Sequence, residues 1–242
     1  MTHAMQMAFR ATKLPVKQFQ HLMRTALLAG AISGALLFLY QYVVILPQIA
    51  AAEVFEAHRE AAGAEGEHHD HSEWKPEDGL ERTFFTAAST IFMGIGLAAI
   101  LVSMVVLGGY DVDIWRGLAW GAAGFACFTV APTLGMPPVP PGVPVADVGA
   151  RQLWWVLTGG FTAIGLWLIV RSGGGWALRT GGGLFVILPH LIGAPQAIGP
   201  QVVPANLVRE FAVASIAGSG LFWLVLGAIT GWLLPTNPEA RS

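Results

Sequence analysis

Long, uninterrupted apolar segments constrain this 242-residue chain more than any other feature of its sequence. Each is close to the roughly 17–25 residues that a helix needs to cross a hydrocarbon core. Their apolar residues are continuous rather than alternating, which favours helices over the strands of a membrane barrel. A mean hydropathy of +0.59 and only 12% charged residues are typical of an integral membrane protein. Six such segments are found, at 25–46, 84–107, 117–135, 152–170, 175–192 and 211–234.

The fifth segment is the least regular of the six. It contains Arg179, three glycines at 181–183 and Pro189, so we expect either a short kinked span or a re-entrant segment. The predicted fold is therefore an all-α bundle of about six transmembrane helices, or five if this segment does not cross. The bundle is predicted as a single domain over 25–235, after a cytoplasmic segment at 1–24 and before a short tail at 236–242.

Basic residues predict the orientation of the bundle. With six spans and the N-terminus inside, eight of them fall on the inner face and five on the outer face, in the direction of the positive-inside rule. The outer face then holds the long segments 47–83, 136–151 and 193–210, which contain most of the prolines. The latter two should be stiff and non-helical, so we expect recognition at this face. A net charge of −2 provides no basic field for nucleic acid, which is therefore not an expected partner.

Small residues at four-residue spacing predict close contacts between helices. Ala26, Gly30 and Gly34 in the first segment, and Gly227 and Gly231 in the last, follow the spacing with which membrane helices approach one another. We expect these contacts within one bundle rather than between copies of the chain.

The stretch "GEHHDHSEW" at 66–74 is the most polar part of the sequence. Imidazole nitrogens and carboxylate oxygens suit Co(II), Ni(II), Zn(II) and Cu(II), and the one cysteine, Cys127, lies in an apolar segment far from this loop. A solvated acidic loop with incidental histidines has a similar composition, so both interpretations stay open. The candidate metal ligands of this outer loop are His58, His68, His69, Asp70 and His71.

The stretch "AAEVFEAHREAA", just before this loop, is predicted to be helical after a kink at Pro47. Glu53, Glu56 and Glu60 then share one face, where they could line an entrance or simply be solvated.

The stretch "WKPEDGLERTFF" leads into the second span. Asp78 is predicted as the N-cap of that helix, and Glu81, three residues on, completes a pattern similar to a capping box. Arg82 could anchor the helix at the interface or pair with Asp78 or Asp147.

In "DVGARQLWW" polar residues lie just outside a tryptophan pair. Trp154 and Trp155 are predicted to be interfacial membrane anchors. Arg151 and Gln152 are not expected to be simple anchors, because polar groups near lipid need hydrogen-bond or charge partners.

In "LPHLIGAP", at 188–195, His190 is a candidate metal ligand or a satisfied buried histidine. Pro189 beside it cannot donate to the carbonyl of Phe185, which is expected to be free for a cavity.

Motifs of nucleotide and peptide hydrolysis are missing from the sequence. There is no G-x-x-x-x-G-K-[ST], no H-E-x-x-H and no evident histidine partner for Cys127. We therefore do not expect an enzyme.

The ordered series "AEVFEAH", "DGLERT", "GLAWGAAGFACFTVAPTLGMPP", "RQLWW", "LPHLIGAP" and "EFAVASIAGSGLFWLVLGAITGWLL" resembles the CbtA family of probable cobalt transporter subunits, from about residue 20 to residue 235. The resemblance implies a multi-pass subunit of the bacterial inner membrane that takes up cobalt for cobalamin synthesis. It also implies a small one-span partner, CbtB, with a His-rich terminus. The family is usually described with five spans, against six apolar segments here.

Residues and resemblance together predict a membrane subunit that captures Co(II) at the outer face and passes it across the bilayer. The alternative is a membrane scaffold or metal sensor that does not transport. No permanently bound cofactor is expected, only a transported or transiently bound Co(II). The predicted metal ligands are Glu53, Glu56, His58, His68, His69, Asp70, His71 and His190. The residues predicted to guide or gate transport are Asp78, Glu81, Arg82, Asp147, Arg151, Gln152 and Glu210.

Overall fold

The computed structural model describes residues 16–61, 76, 79–171 and 175–234. Within these ranges the secondary structure is entirely helical, as the apolar segments predict, and consists of eight α-helices and two π-helical segments. The α-helices are α1 (Val16–Tyr40), α2 (Leu46–Ala61), α3 (Leu80–Leu107), α4 (Ile114–Phe125), α5 (Ala131–Gly135), α6 (Val148–Arg171), α7 (Trp176–Ile192) and α8 (Ala205–Leu233). The π-helical segments are π1 (Gln41–Ile45), which joins α1 to α2, and π2 (Ala126–Val130), which joins α4 to α5.

Five of the resulting continuous helices in the described part of the chain are long and apolar enough to cross a membrane. They extend over Val16–His58, Leu80–Leu107, Ile114–Gly135, Val148–Val170 and Ala205–Leu233. The remaining helix, α7, has 17 residues and is also apolar. At a rise of 1.5 Å per residue its length is about 26 Å, close to the thickness of the hydrocarbon core. The predicted count of five or six spans is therefore confirmed.

The first helix does not stop where the sequence predicts an outer loop. A kink at Pro47 was expected, but the chain stays helical from Val16 to Ala61, with π1 immediately before Leu46 and Pro47. Proline lacks the N–H that would bond the carbonyl four residues earlier, and its ring crowds that carbonyl. The wider π turn accommodates both effects, so the helix continues through Pro47 into the 16-residue α2, and the stretch after Pro47 is helical as predicted.

The second π-helical segment also lies immediately before a proline. Segment π2 ends directly before Ala131 and Pro132, at the start of α5. Pro132 cannot donate to the carbonyl of Phe128, and that oxygen instead accepts a hydrogen bond from Trp155 Nε1 of α6 at 3.1 Å. Proline in the middle of this span thus creates a polar contact between two helices.

Glycine brings the helices together in three pairs, α1 with α3, α4 with α8, and α6 with α7. A Cβ atom at Gly94 of α3 would lie 2.6 Å from the Gly30 oxygen of α1, and one at Gly182 of α7 would lie 2.6 Å from the Gly165 oxygen of α6. The predicted four-residue spacing of small residues is confirmed as packing within one bundle. The glycines between α4 and α8 are Gly117, Gly121, Gly227 and Gly231.

Larger side chains pack between these pairs. Tyr40 of α1 donates a hydrogen bond to the Ala214 carbonyl of α8 at 2.9 Å, and its ring lies against Gly218. Trp223 of α8 contacts Gly124 of α4 and the ring of Phe128, whose centroid is 5.1 Å away. Between α1, α3 and α8 lies a continuous apolar core that includes Ala29, Leu37, Leu101, Val105, Phe222 and Leu226.

The two ends of the bundle differ in how the chain connects its helices. At one end, α2, α5 and α7 finish and α3, α6 and α8 begin. We call it the proline-loop end, because the proline-containing segments 136–147 and 193–204 lie there. At the opposite end, His21 Nε2 of α1 lies 3.2 Å from the Leu233 carbonyl oxygen of α8.

Candidate functional site

Three parts of the chain meet at the proline-loop end. Gly142, with φ +80°, lies where segment 136–147 crosses α2 and segment 193–204. A Cβ atom there would be 3.2 Å from Val203 Cγ2 and 3.5 Å from Glu56 Cβ, so a larger residue would meet both neighbours as well as an unfavourable backbone conformation. The segments 136–147 and 193–204 are largely non-helical, as their prolines predict.

An ion pair fixes the start of α3 against α2. Arg82 Nη2 donates to Glu53 Oε1 at 2.7 Å, and the two side chains are 42% and 40% exposed. The sequence analysis named Asp78 and Asp147 as possible partners of Arg82 but not Glu53, which α2 carries alongside the start of α3. Asp78 lies outside the described residues, so its pairing with Arg82 stays a prediction. Pairing with Arg82 also offsets the charge that Glu53 could offer to a cation.

The Glu53–Arg82 pair is expected to contribute little to stability, because an exposed pair is screened by solvent. We expect a coupling free energy below about 1 kcal/mol from a double-mutant cycle of Glu53→Gln and Arg82→Gln, measured by unfolding in mixed detergent micelles. A coupling well above this value would indicate that water is excluded from the pair.

The other predicted residues around this pair lie at the same end. Glu56 is half-buried in the next turn of α2, and Glu81 is half-buried beside Arg82. His58 is exposed near the end of α2. The N-cap of α3 is Gly79, with φ +101°, rather than the predicted Asp78. The predicted residues His68, His69, Asp70, His71 and Asp78 lie outside the described residues.

Asp147 has a structural role at the start of α6. Its Oδ2 accepts a hydrogen bond from the backbone N–H of Ala150 at 3.0 Å, which is the bond of an N-cap side chain. Gln152 is exposed in the first turns of the same helix, and Arg151 is half-buried.

The two tryptophans of α6 differ in environment, which corrects the prediction that both are membrane anchors. Trp154 is only 5% exposed, and its Nε1 donates to the Pro132 carbonyl at 3.0 Å. Trp155 is 44% exposed, although its Nε1 is bonded to the Phe128 carbonyl. The sequence signal that could have revealed the Trp155 bond is Pro132, because a proline leaves the carbonyl four residues earlier, that of Phe128, without its helical donor. The Pro132 carbonyl that Trp154 bonds also accepts the Met136 N–H, so no comparable signal marks the Trp154 bond.

His190 lies against Trp154, with the two rings edge to face and their centroids 5.6 Å apart. Its Nε2 is buried and has no hydrogen-bond partner among the described residues. Glu210, by contrast, is exposed on α8. Nowhere in the described ranges do three His, Cys, Asp or Glu side chains come together as a group that could hold a metal ion.

Two cavities lie along the side of the bundle. The first, which we call the Arg151 cavity, has a volume of about 810 Å³ and lies between π2, α5, α6 and α8 toward the proline-loop end. The second has a volume of about 760 Å³ and extends to Asp111 and Arg116 at the opposite end. Phe128, Trp155 and Val156 line both cavities, and the Phe128 and Trp155 rings are 5.4 Å apart. An aromatic layer therefore separates the two spaces.

Comparison with protein families gives a match over nearly the whole chain. A family model described as "Probable cobalt transporter subunit (CbtA)" matches residues 19–235, nearly the whole chain. No curated protein and no solved structure matches the chain. The matched region includes all eight α-helices apart from the first three residues of α1. The chain therefore belongs to the CbtA family of probable cobalt transporter subunits.

Proposed function

We propose that this membrane subunit captures Co(II) at the proline-loop end and passes it across the bilayer together with a small second subunit. The observation that carries the proposal is the place in the chain of the polar segment that contains His68, His69, Asp70 and His71. That segment leaves the end of α2 and returns to the start of α3, and the Glu53–Arg82 ion pair holds these two helices together. Membership of a cobalt transporter family supplies the class of ion.

The ligand chemistry favours capture followed by release. His68, His69, Asp70 and His71 would offer imidazole nitrogen and carboxylate oxygen, which bind Co(II) without the closed thiolate set that would retain it. His58, at the start of the same polar stretch, is exposed and accessible to an ion. The negative charges of Glu56 and Glu81 add cation attraction at this end of the bundle.

The family and the charge distribution support a direction of transport and a partner. We propose that the N-terminus is cytoplasmic, that the proline-loop end faces outward, and that the membrane is the bacterial inner membrane. The word "subunit" in the family description supports a second chain, for which we propose a one-span His-rich protein of the CbtB type. The absence of a nucleotide motif from the sequence favours energy from an ion gradient or from a partner, and a non-enzymatic role.

The test is simultaneous replacement of His68, His69 and His71 by alanine in cells that express the chain with its second subunit. We expect the half-saturating cobalt concentration for uptake to rise about tenfold, equivalent to about 1.4 kcal/mol of lost binding free energy. The maximal rate should change little, because the substitution affects collection rather than passage. Uptake of radioactive cobalt over a concentration series measures both quantities.

His21→Ala is the matched control, because this histidine lies at the opposite end of the bundle. Cobalt uptake at limiting concentration that stays unchanged in the triple variant would contradict the collecting role. Cobalt binding by proteoliposomes that contain both subunits, without any flux, would favour the metal-sensing scaffold instead.

A further inference from the structure

Arg151 has a buried donor that the described residues do not satisfy. Its Nε is buried and has no hydrogen-bond partner among them. Other arginines of the bundle differ: Arg82 is paired with Glu53, and Arg116 Nη1 donates to the Asp111 carbonyl at 2.8 Å. A buried donor of a charged group without an acceptor is costly, above all near lipid, so Arg151 calls for an acceptor that comes from outside the chain.

The cavity beside Arg151 has the polar groups that such an acceptor needs. Gln152 and Ser215 line it together with Arg151, and they add an amide and a hydroxyl that can donate hydrogen bonds. None of the described residues that line this cavity is acidic. One cation without a carboxylate suits a bound anion, whereas a divalent cation would be repelled.

Most of the rest of the cavity is apolar. Phe128, Trp155, Val156 and Ile216 are among its lining residues. Its volume of about 810 Å³ is within the usual range of small-molecule sites. Because α6 spans the membrane and Arg151 is in its first turn, the charged group lies near the lipid headgroups and the apolar walls lie deeper. An amphiphile with an anionic head and a hydrocarbon tail matches this order.

We propose that the Arg151 cavity binds the phosphate of an anionic membrane lipid. Arg151 would donate to the phosphate oxygens, with Gln152 and Ser215 as further donors, and an acyl chain would lie against Phe128 and Trp155. The phosphate of a free anion has the same chemistry, but only a lipid fills the apolar part. This site is independent of the cobalt proposal, and it assigns the cavity to a lipid instead of the cation path predicted for Arg151 and Gln152.

The test measures lipid bound to the purified full-length chain in detergent by native mass spectrometry. We expect phosphatidylglycerol to bind more tightly than phosphatidylcholine, and Arg151→Gln to weaken its binding about tenfold. Arg209→Gln is the matched control, since Arg209 is an exposed arginine at the same end of the bundle that does not line the cavity. Millimolar inorganic phosphate should not displace the lipid, and displacement would indicate a free-anion site instead.

A second measurement leaves Arg151 in place, so that it does not depend on the folding of an Arg151 variant. Phosphatidylglycerol with brominated acyl chains should quench tryptophan fluorescence more than brominated phosphatidylcholine does. That difference should shrink in Trp155→Phe. Equal binding and equal quenching by the two lipids would overturn the proposal, as would equal losses in Arg151→Gln and Arg209→Gln.

Discussion

Gly94→Ala is expected to destabilise the bundle by about 1–3 kcal/mol, although alanine is the better helix former. The added methyl group would lie 2.6 Å from the Gly30 oxygen and 3.2 Å from Gly34 Cα. Both neighbours are backbone atoms of α1, which cannot move aside as a flexible side chain can. Relief of the overlap requires the two helices to separate, and the contacts around the pair then weaken as well.

The same helix offers a matched control. Gly96 is exposed two residues further along α3, and a Cβ atom there would have no neighbour within 4 Å. Gly96→Ala should therefore be neutral or stabilise the helix by up to about 1 kcal/mol. Unfolding of the two variants by increasing dodecyl sulfate in mixed micelles measures the difference. Equal stability of the two variants would mean that α1 and α3 are not in backbone contact.

Trp154→Ala is expected to cost about 3–5 kcal/mol of unfolding free energy, as for other large buried aromatic residues. Trp154 fills the space between Gly135, Ala194 and the ring of His190, and it joins α6 to α5 through the Pro132 carbonyl. Alanine removes the ring from all of these neighbours and the hydrogen bond with it. The start of α6 would then lose its hydrogen bond to α5.

Two further substitutions separate packing from simple loss of an aromatic residue. Trp232 of α8 is 71% exposed, so Trp232→Ala should change the stability of the detergent-solubilised chain far less. Trp154→Phe keeps an aromatic ring but removes the N–H donor and part of the indole, for which we expect an intermediate loss of about 1–3 kcal/mol. If Trp232→Ala and Trp154→Ala have equal effects under the same unfolding conditions, the buried position of Trp154 is contradicted.

Much of the fold was predictable because lipid leaves few alternatives to the helix. Continuous apolar segments locate the spans, and the small residues at Gly30, Gly34, Gly227 and Gly231 locate two of the three glycine-packed pairs. The third pair, through Gly165 and Gly182, was not predicted, because glycine is also common at turns and the sequence spacing there gives no repeat.

The contacts made by polar side chains were harder to predict. Arg82 pairs with Glu53, 29 positions away, and this pair depends on α2 remaining helical past Pro47. Proline alone predicts a break, but a π turn before it lets the helix continue. Trp154 was predicted to be a membrane anchor because it lies near a membrane boundary. That position does not reveal its hydrogen bond to the Pro132 carbonyl.

The candidate metal site was predicted by composition and only partly by position. Glu53, Glu56, His58 and Glu81 lie at one end of the bundle, as expected from the order of the spans. Residue type alone does not distinguish a carboxylate that is available to a cation from one that already has a partner within the chain. Asp147 and Glu53 both have such partners. The prediction that the histidines of 68–71 bind cobalt depends on the uptake measurement described above.

The glycine contacts and the aromatic contacts differ in how easily they let the helices slide past one another. Where backbone touches backbone, as between Gly117 and Gly227, any sliding drives peptide groups into each other, so α4 and α8 behave as one rigid body. Phe128, Trp155 and Trp223 meet through rings, which can change rotamer while the helices shift. Shear of the α6–α7 body against the α4–α8 body would therefore cross the aromatic layer between the two cavities, and it would require the hydrogen bonds of Trp154 and Trp155 to the neighbouring span to adjust or break.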